Sequence, residues 1–103
     1  MMIIRQNRYT VKAEDAAQNQ ERISRVVEDL RALRRNDIHY SVYVEDDGKT
    51  FLHLLFCANE EAEQAFFRLP SQQAFQAGLV AGHLEVPPTM TTLHLVGATS
   101  DSF

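Results

Sequence analysis

His53 stands in the middle of Phe51-Leu52-His53-Leu54-Leu55-Phe56-Cys57, an apolar run in which an imidazole needs a reason to be buried. A neutral imidazole facing a pocket can take a proton from a phenol or hydrogen-bond a substrate carbonyl. The alternative is a structural histidine satisfied by a nearby hydroxyl or carbonyl. Asn19 is the second candidate, four residues before Ile23 and seven before Val26 on the apolar stripe of a helix. Its amide either orients a ligand between helix and sheet or ties down the chain at the helix start. His53 and Asn19 are thus the candidate catalytic residues. Tyr43, His39, Phe75 and His83 are the candidate substrate contacts.

Other chemistries find little support. The four histidines, His39, His53, His83 and His94, have no Cys or carboxylate at ligand spacing, so no metal site is expected. Nothing beside Cys57 would lower its pKa, which makes it a small apolar residue rather than a nucleophile. There is no Gly-rich phosphate loop and no nucleophile elbow.

The elements that must position these residues follow from hydrophobic period. Tyr9 and Val11 share one face of a first strand over Ile4–Lys12. Ile23, Val26, Val27, Leu30 and Leu33 then recur at helical spacing. Asp15 with Gln18 forms a capping box, and Asn36 is the left-handed stop. Two strands flank Asp46-Asp47-Gly48. In the first, His39, Ser41 and Tyr43 share one face and Ile38, Tyr40, Val42 and Val44 the other. A two-residue Asp47-Gly48 loop sets His53 opposite Val42; a three-residue loop sets it opposite Ser41. Asn59 caps a helix reaching Leu69, and Pro70 breaks it before a shorter helix to about Val80, with Phe75 and Leu79 buried. Gly82 and Pro87-Pro88 bracket a loop, Thr91–Val96 forms the last strand, and residues 97–103 fray.

This order is β-α-β-β-α-β with a broken second helix, an α+β ferredoxin-like fold filling one domain over residues 1–103. Right-handed crossovers put both helices on one sheet face. The Phe51–Cys57 run is apolar on both faces, so the other side also needs a cover. A homodimer with sheet facing sheet is the expected remedy. The net charge of −4 disfavours nucleic acid or an anionic membrane as partner. RNA-recognition domains share the element order, but the third strand lacks their basic and glycine positions. One cysteine allows no internal disulfide, no apolar run reaches membrane-spanning length, and a cytoplasmic location is expected.

Several stretches carry a family likeness. They are Tyr9-Thr10-Val11-Lys12 leading into a helix with Asn19, then Asp46-Asp47-Gly48-Lys49-Thr50-Phe51-Leu52-His53-Leu54, and Gln73-Ala74-Phe75-Gln76. Together with the element order, they make the chain similar to the antibiotic-biosynthesis-monooxygenase-like group, and in particular to small bacterial members of it. The resemblance runs from about Ile4 to Val96. It implies a dimeric α/β barrel with a pocket between helices and sheet. Characterised relatives oxidise polycyclic aromatic molecules with oxygen and no added cofactor, or degrade haem. The haem-degrading branch uses an Asn, Trp and His set; Asn7 is present here, but the chain has no tryptophan. The expectation is a cofactor-independent monooxygenase-like enzyme for a small aromatic or apolar molecule. The alternative is a non-catalytic small-ligand binder or dimeric interaction module on the same scaffold.

Overall fold

A computed structural model describes residues 2–99. Its strands are β1 (Ile3–Thr10), β2 (Ile38–Val44), β3 (Thr50–Cys57) and β4 (Val86–Leu93), and its helices α1 (Ala16–Leu33), α2 (Glu60–Phe67) and α3 (Pro70–Ala81). The four strands form one sheet in the order β2-β3-β1-β4, with every neighbouring pair antiparallel. This is the expected ferredoxin-like α+β arrangement. No described helix is long and apolar enough to cross a membrane.

Helix α1 buries Ile23 and Val26 and half-buries Val27 and Leu30, while Leu33 at its last turn is exposed. Its ends differ from expectation. The Asp15 side chain makes no cap bond; a single 3-10 turn, Ala13–Asp15, leads into the helix instead. The helix stops at Arg34 (φ 53°), two residues before Asn36. The early stop matches the pairing of Arg35, whose guanidinium grips Asp37 at 2.9 and 2.8 Å and Glu61 at 2.6 Å. An Arg35 continuing the helix would lose that fork to two carboxylates.

Between β2 and β3 the Glu45 N–H donates to the Thr50 carbonyl and the Gly48 N–H to the Glu45 carbonyl. The left-handed Gly48 (φ 74°) suits a residue without Cβ. The pairing is that of the shorter-loop alternative, with Val42 opposite His53. On β3, Phe51, His53, Leu55 and Cys57 are therefore buried, while Leu52, Leu54 and Phe56 on the opposite face are half-buried.

Asn59 caps α2 as expected, its Oδ1 accepting from the Ala62 N–H at 2.9 Å. The helix ends at Phe67, and Pro70 opens α3 at its first position, where no N–H is needed. Phe75 and Leu79 are buried. The last strand differs most from expectation, running over 86–93 rather than 91–96 and including Pro87-Pro88. Two facts permit this: β4 is an edge strand, and the β1–β4 register shifts between Arg8 and Thr10, so the prolines fall opposite Tyr9 in a bulge. Residues 94–98 carry no regular structure, and the expected fraying of the tail lies, from Ser100 on, outside the described residues.

Candidate functional site

Residues directly opposite in an antiparallel pair share a sheet face. Asn7 stands opposite His53, Tyr9 opposite Phe51 and Arg5 opposite Leu55, so β1 and β3 together aim these side chains at the helices. Above them, the break at Pro70 sets α2 and α3 at the far side of a cleft of about 270 Å³. Phe66, Phe75 and Leu79 line it from the helices, His53, Leu55 and Asn7 from the sheet, with Tyr40 on β2 and Met90 on β4. The wall is mainly apolar with a few polar groups, the common make-up of a small-ligand site.

The polar groups are connected. Asn19 Nδ2 donates to the Tyr9 hydroxyl at 2.8 Å, which lies 2.7 Å from His53 Nε2. On the other ring nitrogen, His53 Nδ1 lies 2.8 Å from the Tyr40 hydroxyl. Proton counting orients this chain. Tyr9 is fully buried, and among the described residues its hydroxyl bonds only Asn19, which donates to it, and His53. The Tyr9 proton therefore goes to Nε2, the imidazole carries its own proton on Nδ1, and that N–H donates to Tyr40. The Tyr40 hydrogen is then left to offer to the cleft that Tyr40 lines.

Burial sets the charge states. Loss of hydration pushes the His53 pKa down to about 4, so the ring is neutral at physiological pH. The same cause raises both tyrosines well above the usual phenol value; for Tyr9 the Asn19 bond offsets part of the rise. The unit is thus neutral and directional. The aromatic neighbours hold it in place, with Phe75 5.2 Å from His53 and Phe66 5.0 Å from Tyr40 between ring centroids.

Arg5 brings a guanidinium to the cleft wall. Its Nε lies 2.6 Å from Glu63 Oε2 and its Nη1 donates to Thr92 Oγ1 at 2.9 Å, joining β1 to α2 and β4. No group of three His, Cys, Asp or Glu among the described residues is placed to hold a metal ion.

Of the residues singled out from sequence, the structure brings His53, Asn19 and Phe75 together. Asn19 sits behind Tyr9 and does not line the cleft, so it holds the chain rather than touching a ligand. Tyr43 and His39 stand apart, because they pair with Leu52 and Phe56 and so face the opposite side of the sheet. His39 bonds the Asn36 carbonyl there. His83 occupies the α3–β4 loop in a separate depression that shares Leu79, Val80 and Pro88 with the cleft. Sequence reasoning placed Tyr9 and Tyr40 on strand faces and gave neither a role in the site. The available signal was that a buried tyrosine hydroxyl needs a partner.

The profile of the family described as antibiotic biosynthesis monooxygenase matches residues 2–78. The chain belongs to this family. Among curated protein sequences, none matches it. Solved structures of similar fold include Rv0793 from Mycobacterium tuberculosis, with TM-score 0.79 at 15% identity, covering 97% of this chain and 100% of that one. A second is a family protein from Bacteroides thetaiotaomicron, with TM-score 0.80 at 11% identity over 99% and 96% of the two chains. A third is SnoaB, a cofactor-independent oxygenase from Streptomyces nogalater, with TM-score 0.71 at 13% identity over 95% and 96%. At these identities the likeness to this monooxygenase family member is one of fold.

Proposed function

We propose that the protein is a cofactor-independent monooxygenase for a small hydroxylated aromatic molecule bound in the Tyr40–His53 cleft. The observation that carries this reading is the hydrogen-bonded series Asn19–Tyr9–His53–Tyr40, which ends in an apolar cleft. Family membership and the oxygenase named among the fold relatives support it.

A phenol oxidised to a quinone needs no external reductant. One oxygen atom of O2 becomes the new carbonyl and the other leaves as water with the two hydrogens the substrate loses. The demanding step is release of the phenolic proton, because the phenolate is the form that gives an electron to oxygen. Tyr40 is the candidate catalytic residue: its free hydrogen donates to the oxygen where charge develops, a preorganised dipole in a partly dry site. His53 fixes Tyr40 through Nδ1–H, and Tyr9 with Asn19 fixes the His53 tautomer. A ring with a pKa near 4 is a poor store for the substrate's proton, which passes instead to water at the mouth of the cleft. His53 therefore acts as an orienting dipole.

We also read the chain as a homodimer. The half-buried Leu52, Leu54 and Phe56, beside the exposed Tyr43, form an apolar face on the side of the sheet away from the core, which a second copy would cover.

The test is oxygen uptake with a dihydroxynaphthalene as probe, in purified protein treated with chelator. The expected result is turnover that Tyr40→Phe lowers at least a hundredfold and His53→Ala lowers by no more than that, with the quaternary state unchanged. Full turnover by Tyr40→Phe removes that hydroxyl from the mechanism. No uptake with any hydroxylated arene favours the binding-module alternative.

A further inference from the structure

Two side chains of the cleft wall are not used by the chemistry above. Gln72, on the first turn of α3, is only 5% exposed, yet its Oε1 is buried and finds no partner among the described residues. Asn7, on β1 beside His53, has an Oδ1 in the same state. A buried carbonyl without a donor is costly, and most native examples have a purpose. Here both residues line one cleft, one from the helix side and one from the sheet. Their terminal amide torsions are soft, so each oxygen can turn to the cleft without moving backbone. Tyr40 supplies the opposite polarity, a donor. The cleft also falls below the roughly 300 Å³ at which pockets for drug-sized molecules begin.

We propose that Gln72 and Asn7 are specificity-determining residues, which together select a mono- or bicyclic ring carrying two hydrogen-bond donors, such as a diol. One donor group of the ligand goes to each amide oxygen, and an oxygen of the ligand accepts from Tyr40. Ethers and bare hydrocarbons of the same shape leave both amides unpaired and are rejected. This rests on the reading of the cleft as the ligand site, and is independent of whether oxygen chemistry follows.

The experiment compares 2,7-dihydroxynaphthalene with its dimethyl ether by calorimetry on the full chain, kept free of oxygen. The expected result is a diol bound at least tenfold more tightly than the ether. The Asn7→Leu, Gln72→Met double variant should lose that preference, and Gln72→Met alone should melt at a higher temperature without ligand, because it removes the unpaired carbonyl. Equal affinity for the two probes, as when a resident water serves the amides, overturns the proposal. So does failure of the diol to bind, or a preference that survives intact in the double variant. Diol-selective binding without oxygen uptake sinks the oxygenase reading alone; oxygen uptake by a protein indifferent to the methyl groups sinks only the present one.

Discussion

The Tyr9 hydroxyl lies 2.7 Å from His53 Nε2, and this contact decides which nitrogen of the imidazole carries its proton. Tyr9→Phe strips the partner from both Asn19 Nδ2 and Nε2 while leaving the ring stacked on Phe51 at 5.8 Å. Two buried polar atoms lose their partners, so the expected loss of stability is about 1–3 kcal/mol. Turnover should fall at least tenfold, since the imidazole is then free to change tautomer. Urea unfolding and oxygen uptake on the same sample check both. A variant as stable and as active as the parent would remove Tyr9 from the unit.

The buried imidazole should also make the fold acid-sensitive. Its pKa is about 4 when folded against 6.5 for the free side chain, so between those values the unfolded chain binds the extra proton. The His53 contribution is fully present above pH 6.5 and is lost as pH falls toward 4. Below that it changes no further. A shift of this size corresponds to roughly 3 kcal/mol. Denaturant melts from pH 7 to pH 4 should show the slope, and His53→Gln should flatten it.

Glu63 neutralises Arg5 at the cleft wall, and hydrogen bonding to that carboxylate raises the guanidinium pKa. Glu63→Gln should leave a bare positive charge beside the ligand. Affinity for an anionic arene such as a naphthoate should then rise several-fold. The stability change should stay within about 1 kcal/mol, because the pair is partly solvated. Naphthoate titration of parent and variant at low and moderate salt reads both the gain and its screening.

Leu54 lies on the apolar sheet face away from the core. Leu54→Asp should dissociate the proposed homodimer, giving a monomer by sedimentation at micromolar concentration. A parent chain that already sediments as a monomer would end that proposal.

Cys57 is fully buried, and burial pushes its thiol up to about 11. A thiol reagent at pH 8 should label the denatured chain and leave the native one unmarked over the same interval.

The sequence made the scaffold readable because the signals there are local and repeated. The Ile23–Val26–Leu30 stripe, the Asn59 cap and the proline at the start of α3 are each explained by neighbours within one helical turn. His53 was legible as a polar residue in an apolar strand. Its partners were not, because Tyr9 lies 44 positions away and Tyr40 13, and only the strand register brings them to one ring. That register also put His53 on the face of Tyr40 and Val42 rather than on that of Tyr43 and His39. The prolines of β4 read as a loop, since a sequence pattern does not reveal that a strand is an edge. Gln72 carried no signal at all, and Asn7 only its match to one member of the haem-degrading set: an unmet carbonyl exists only once the surroundings are in place.

Proline has no amide hydrogen, and Pro87 and Pro88 lie side by side on an edge strand, where Pro88 also lines the cleft. A foreign polypeptide trying to extend the sheet at that border meets a strand bent by a bulge and lacking an amide donor. The rim beside the cleft is therefore a poor template for β-addition.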